Sequence, residues 1–295
     1  MTLFEGSATA MVTPFNEDGS INYDAFEKMI EFQIENGTSA LVVAATTGEV
    51  SVMPDEDQIA LIKFAVEKVN KRVPVIAGAG SNVTAHAIEL AQGAEAVGAD
   101  GLLIVTPYYN KTTQKGLIKH YTEIANSTKL PIILYSVAGR TGINITVATC
   151  KELAKIPNIV AIKEASGDMS QIAQIAEQCC DENFCIYSGN DDQTLPMLSL
   201  GAKGVISVLA NCMPKAVSDI CNKYFEGDVK GSREIFLNTL DLANKLFIET
   251  NPIPVKTACN LMGMNAGKLV APLYDMEEKN LEILKESLRN HGLID

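Results

Sequence analysis

The sequence is poor in the residues that build metal, disulfide and nucleic-acid sites. Its 295 residues include three histidines, His86, His120 and His291, too few and too scattered for a histidine-rich metal centre. Seven cysteines, at 150, 179, 180, 185, 212, 221 and 259, make an odd number with no C-x-x-C pair. Neither a disulfide framework nor a zinc ribbon is suggested. Basic residues are in deficit: 24 Lys+Arg face 36 Asp+Glu, a formal charge of −12. A surface of that sign repels phosphate backbones and anionic lipid, which argues against nucleic-acid or membrane-surface partners. No apolar run approaches the ~20 residues of a membrane span. The start, MTLFEGSATAMVTPF, lacks the basic stretch of a signal peptide. A cytoplasmic protein with reduced thiols is the expectation.

What is present is ordinary globular material, 47% hydrophobic with a mean hydropathy of +0.10. Short apolar runs recur, each closed by a polar or glycine-rich cluster: SATAMV, ALVVAA, VPVIAG, GLLIV, PIILY, IVAI, FCIY and GVISVLA. Continuous Val/Ile/Leu runs of this length read as strands buried on both faces, the requirement of a parallel sheet. Strand-end markers at Thr13, Thr47, Gly78, Thr106, Tyr135, Lys163, Ser188 and Ser207 are spaced by 34, 31, 28, 29, 28, 25 and 19 residues. Between them lie segments of helical spacing, such as Phe26, Met29, Ile30 and Ile34, with Asn22 and Thr84 as expected N-caps. Eight βα units of about 30 residues predict a (β/α)₈ TIM barrel, with a doubly wound sheet as the alternative. The barrel is expected over 1–225. Residues 226–295 lack strand-like runs and read as a small C-terminal helical region packed on the barrel, with a shorter helix near Pro254–Leu261.

Barrel sites form at the C-terminal ends of the strands, which makes the polar clusters there the candidates. Lys163 stands out. In IVAIKEA a period of two puts Ile159, Ala161 and Lys163 on one face and Val160, Ile162 and Glu164 on the other. Both faces of a barrel strand are dry. A lysine there either pairs with a carboxylate, snorkels to the rim, or is a desolvated amine poised to form a Schiff base. The last needs an acid–base range near roughly 7–8. Tyr135 ends the preceding strand and could shuttle protons or simply pack. Thr46-Thr47-Gly48 offers hydroxyls and backbone amides to an anion, or an ordinary loop into a helix. Arg140, in a glycine-rich loop, suits a carboxylate, though solvation would also explain it. Gly78-Ala79-Gly80 lacks the third glycine of a dinucleotide fingerprint.

Five segments stand in an order that resembles the class I pyruvate-dependent aldolase superfamily that includes N-acetylneuraminate lyase. They are Thr46-Thr47-Gly48-Glu49, Thr106-Pro107-Tyr108-Tyr109-Asn110, Tyr135 with Arg140-Thr141-Gly142, Ile162-Lys163-Glu164-Ala165, and Asn251-Pro252-Ile253-Pro254-Val255-Lys256. The resemblance covers essentially the whole chain and is strongest to the dihydrodipicolinate synthase family. It implies that Lys163 forms an imine with pyruvate and that Tyr135, Thr46 and Tyr109 relay protons, Tyr109 from a neighbouring subunit. It further implies that Thr47 binds the pyruvate carboxylate and that Arg140 holds the carboxylate of L-aspartate 4-semialdehyde. Backbone at Gly189 and Ile206 would line the pyruvate pocket. Neither metal nor cofactor is implied, and a homotetramer, a dimer of dimers, is.

The chain departs from the family pattern at Ala45, where glycine is usual, and at Ser136 and Ala138, which replace an asparagine and a proline. At the pocket where L-lysine binds in inhibitable members, Asn82 and Tyr108 match. There His86 stands in place of an acid and Gln58 in place of a histidine, so weak or absent lysine inhibition is expected. Two other functions compete: a sister aldolase acting on sialic acid or a keto-deoxy sugar acid, and a non-catalytic small-molecule sensor. Arg140 weighs against the first, since a sugar chain needs hydroxyl partners there. The intact Lys163, Tyr135, Thr46 and Tyr109 set weighs against the second.

Overall fold

Eight parallel strands close on themselves in the order β1 to β8 in the computed structural model, which describes residues 2–295. They are β1 (Gly6–Ala10), β2 (Ala40–Val43), β3 (Val75–Gly78), β4 (Gly101–Val105), β5 (Ile132–Ser136), β6 (Ile159–Glu164), β7 (Cys185–Ser188) and β8 (Gly204–Ser207). Each falls within or next to one of the eight apolar runs, because only a strand apolar on both faces tolerates helices outside and a packed lumen inside. The result is a (β/α)₈ TIM barrel, and the doubly wound alternative is excluded by closure of β1 on β8.

Helices α1 (Tyr23–Glu35), α2 (Asp55–Val69), α3 (Thr84–Ala96), α4 (Gln114–Ser127), α5 (Ala138–Thr141) and α6 (Val147–Leu153) lie in the first half. The second half carries α7 (Met169–Cys179), α8 (Thr194–Ser199), α9 (Pro214–Phe225), α10 (Val229–Lys245), α11 (Ile253–Leu261) and α12 (Glu278–Asn290). Asn22 caps α1 as expected, its Oδ1 accepting from the Ala25 amide at 3.0 Å. Thr84 does not cap α3: Val83 holds the cap position, and the Thr84 hydroxyl turns to His120 Nδ1 at 3.0 Å. A side-chain partner across two helices has displaced the local one.

Core side chains divide into a large outer cluster, between strands and helices, and a smaller one inside the barrel. Strand β6 breaks the simple alternation. Its ladder with β5 pairs Ile132 with Ile159 but Ile133 with Ala161, leaving Val160 as an extra residue. Val160 and Ala161 both face inward, whereas Ile159 packs outside. The expectation that Ile159 shares a face with Lys163 is therefore corrected. Beyond the bulge the period resumes, and Lys163 points inward with its ladder partners Tyr135 and Tyr187 on either side. The glycines of Gly78-Ala79-Gly80 serve close packing. A Cβ at Gly78 would meet the Ala44 carbonyl oxygen at 2.1 Å, and one at Gly80 the Val105 nitrogen at 2.6 Å.

Candidate active site

Lys163 is 4% exposed, and no ion pair accompanies its burial. Among the described residues no carboxylate lies within ion-pair reach of its Nζ, and no hydrogen bond to the protein is formed there. The amine instead lies 4.2 Å from the centre of the Tyr135 ring, whose face is electron-rich. The paired-lysine explanation of the sequence pattern is thus ruled out. Above the amine opens a small cavity bounded by Ala10, Ala45, Thr46, Thr47, Tyr135 and Val137, and by Arg140, Ala165, Gly189 and Asn190. It leaves ≈ 50 Å³ for the centres of water-sized molecules. Room of that order, next to a primary amine, suits a small carbonyl compound.

The turn from Thr46 to Gly48 follows β2 and presents two hydroxyls to this cavity. Left-handed backbone at Ala44 (φ 55°) and Glu49 (φ 58°) brackets it. Such conformations are strained for residues with a Cβ and persist only where surroundings hold them. Here Thr13 Oγ1 donates to the Gly48 carbonyl at 2.8 Å, and a Cβ on Gly48 would press on that hydroxyl at 3.0 Å. Thr47 Oγ1 accepts a hydrogen bond from Asn251 Nδ2 at 3.1 Å. Ala45, the first departure from the family pattern, sits at φ −107°, where a methyl group costs nothing. No hydrogen bond joins the hydroxyls of Thr46 and Tyr135, although both residues border the cavity.

Arg140 also borders the cavity. It is solvent-exposed and its Nη2 donates to the Asn251 carbonyl at 3.0 Å, which aims the guanidinium at the cavity rim. The two other departures lie off the cavity. Ser136 faces the helices, donating to Asn144 Oδ1 at 3.0 Å, and Ala138 begins the short helix α5 that carries Arg140. Gly189 is required by contact. A Cβ there would meet Ala165 Cβ at 2.7 Å and Lys163 Cε at 3.2 Å. Ile206 is buried in the barrel layer beneath, and the cavity wall is formed by Val208 two residues further on. Tyr109 borders no part of this cavity. It is 91% exposed with φ 69°, a left-handed backbone holding a large ring out into solvent.

The four residues of the expected effector pocket lie outside the cavity above Lys163. Gln58 is buried and donates to the Gly78 carbonyl at 2.8 Å. His86 uses both ring nitrogens, Nε2 with Asp55 Oδ2 at 2.8 Å and Nδ1 with Ser81 Oγ at 3.0 Å. Asn82 accepts through its carbonyl from Asn110 Nδ2 at 2.9 Å, and Tyr108 is part-exposed. Asp55 places a carboxylate here that residue-by-residue matching overlooked.

Sequence reasoning gave no site role to Asn251 or Phe247, both of which border the cavity from the C-terminal region. Asn251 was legible only as the head of a segment resembling the family; its chemistry depends on a contact more than 200 residues away in the chain. Asp191 is a further buried carboxylate near the site, accepting from Ser207 Oγ and from the amides of Val208 and Leu209. Burial raises its pKa, while those three donors and the Lys163 charge act to lower it. No group of three or more His, Cys, Asp or Glu suited to a metal occurs among the described residues, and none of the helices described is long and apolar enough to cross a membrane.

Known proteins resemble this chain over nearly its whole length. The Dihydrodipicolinate synthetase family matches residues 3–291. A 4-hydroxy-tetrahydrodipicolinate synthase of Acetivibrio thermocellus is 55% identical over 292 residues, 99% of each chain. One from Clostridium perfringens strain SM101 is 56% identical over 99% of this chain and 100% of its own. Among solved structures, the chloride-inhibited dihydrodipicolinate synthase from Acinetobacter baumannii complexed with pyruvate aligns with a TM-score of 0.96. It is 42% identical, over 99% of this chain and 100% of that one. This chain belongs to the dihydrodipicolinate synthetase family.

Proposed function

We propose that this chain is a Schiff-base lyase that condenses pyruvate with L-aspartate 4-semialdehyde to give 4-hydroxy-tetrahydrodipicolinate, in lysine (diaminopimelate) biosynthesis. The observation that carries the reading is the unpaired Lys163 amine beneath a small cavity, with Tyr135, Thr46, Thr47 and Arg140 on its walls. The family's curated relatives bear the name of this activity, and the Acinetobacter baumannii structure was obtained with pyruvate bound.

Nζ in its neutral form attacks the keto carbon of pyruvate, and the carbinolamine loses water to leave an imine. The positive imine nitrogen acidifies the methyl group, and loss of one methyl proton gives an enamine. That carbon attacks the aldehyde of the second substrate, whose oxygen takes up a proton and becomes a hydroxyl. The amino group of the same substrate then adds to the imine carbon and expels Lys163, closing the ring. Each step moves a proton near Tyr135 and Thr46, the hydroxyls best placed to shuttle it. Thr47 and neighbouring amides bind the pyruvate carboxylate, and the Arg140 fork holds the carboxylate of the semialdehyde. No metal or cofactor is required by this sequence of steps.

Tyr109 acts in the site of a second copy, in a homotetramer built as a dimer of dimers. Its outward, left-handed placement supports this, since it has no task in its own cavity. The enzyme works in the cytoplasm. At the expected effector pocket the Asp55 carboxylate is already held by His86, so L-lysine should inhibit weakly or not at all in a steady-state assay. Strong inhibition at sub-millimolar lysine would overturn this part.

Borohydride reduction in the presence of pyruvate, followed by peptide mass mapping, tests the reaction itself. The expected result is one pyruvyl adduct, on Lys163. An adduct on another lysine, or none, would end the Schiff-base reading.

A further inference from the structure

Glu49 directly follows the Thr46–Gly48 turn, and its side chain is fully buried. Its Oε1 lies 2.6 Å from Lys256 Nζ, and its Oε2 accepts from the Val270 amide at 2.9 Å. Lys256 is equally buried on α11 and stacks 4.3 Å from the Phe15 ring. Asn251 stands five residues earlier, just before α11 begins, and makes two contacts with the site: Nδ2 to Thr47 Oγ1 and its carbonyl to Arg140 Nη2. Residues 47 and 49 of the turn are thus tied to residues 251 and 256 of the tail.

A buried ion pair is weak grounds for stability, because replacing both members by apolar residues is often neutral or stabilising. What such a pair does supply is a geometry with little tolerance. Glu49 pins a strained turn at one end and a helix start at the other. From this juxtaposition we infer that the Glu49–Lys256 pair is a positioning device for both substrates. Through Asn251 it sets the Thr47 hydroxyl and the Arg140 guanidinium at a fixed separation on the cavity wall. One displacement of the α11 start moves both anion-binding groups together. A misplacement of about 1 Å is enough to cost on the order of 10²-fold in a reaction that depends on orientation.

This inference rests on the proposed condensation, and its failure is distinguishable from failure of that reading. If wild-type protein gives no pyruvyl adduct, the reaction fails; with the adduct present, the pair is tested on its own. The variant is the double substitution Glu49→Met/Lys256→Met, which removes both charges at similar volume. Thermal unfolding and KM and kcat for each substrate are measured against wild type. With Tm within a few degrees of wild type, KM for pyruvate and for the semialdehyde should both rise about 10-fold or more, with kcat changed less. A folded double variant with both KM values unchanged would overturn the inference. Should the double variant not fold, Asn251→Ala decides: it removes the Nδ2 contact to Thr47 and leaves the carbonyl that receives Arg140, so a rise in KM for pyruvate above any rise for the semialdehyde supports the route through Asn251, and unchanged values overturn it. Where both variants fold, their effects should be less than additive when combined, because they act along one path. Full additivity would mean that the pair acts elsewhere.

Discussion

Lys163 and Lys256 are both closed off from solvent, 4% and 0% exposed, and each lies over an aromatic ring, Tyr135 at 4.2 Å and Phe15 at 4.3 Å. They differ in what faces the amine. Lys256 has the Glu49 carboxylate at 2.6 Å, and burial lowers its pKa while that carboxylate raises it. Lys163 has no carboxylate partner and an open cavity. Charged partners spend an amine's lone pair on holding a proton, whereas a nucleophile must be able to release it. Burial alone therefore does not mark a reactive lysine. The combination of burial, no carboxylate in ion-pair contact and adjacent empty space does.

The two lysines should fail in opposite ways when each is replaced by methionine. Lys163→Met should abolish the borohydride adduct and lower turnover by on the order of 10⁴-fold or more. Its Tm should hold or rise, because an apolar side chain replaces an unpaired polar one. Lys256→Met leaves Glu49 buried without its cation, at a cost of about 3–5 kcal/mol. That should appear as a fall in Tm on the order of 10 °C, with the adduct still forming on the folded fraction. Scanning calorimetry alongside adduct mapping reads both. A stable, unreactive Lys256→Met protein would erase the distinction.

Arg140 offers a finer division, between the two carboxylates that the site must hold. Arg140→Ala removes a charge-assisted contact and should lower kcat/KM for the semialdehyde roughly 10–10²-fold, matching the ~1.5–3 kcal/mol of such a bond. Pyruvate trapping on Lys163 should continue at close to the wild-type rate. Equal loss of both activities would make Arg140 a structural support of the Asn251 carbonyl instead.

The barrel was legible because its signal is local and repeated: eight apolar runs, each closed by a polar cluster, in step along the chain. Lys163 was legible because a charge at the end of a dry strand has few explanations. The bulge at Val160 was not, since an extra residue in one strand shows only against its neighbour's register. The tail was read as packing material, and its role at the site escaped notice for the same reason. Asn251 and Lys256 act on residues more than 200 positions earlier, and spacing within a segment carries no record of that. Thr84 shows the reverse error, a sound local rule overridden by His120 from the next helix.

His120 extends the lysine comparison to a buried base that has neither counter-ion nor cavity. It is 5% exposed, its Nδ1 meets the Thr84 hydroxyl, and its Nε2 has no hydrogen-bond partner. Burial lowers its pKa from 6.5 to about 4. The folded state therefore favours the neutral ring, so stability is full above pH 6.5 and is lost as pH falls from 6.5 toward 4. Between pH 7.5 and pH 5 that loss amounts to about 2 kcal/mol, at 1.36 kcal/mol per pH unit of differential protonation. Other groups titrate over the same interval, so the measurement is a difference. Urea unfolding of wild type and of His120→Gln at the two pH values should show about 2 kcal/mol more acid loss in the wild type. Catalytic constants per folded molecule at pH 7.5 should agree between the two. Equal acid sensitivity would mean that His120 finds a proton partner in the fold. An unpaired buried base would then no longer be costly in itself, and the bare amine of Lys163 would lose much of its significance.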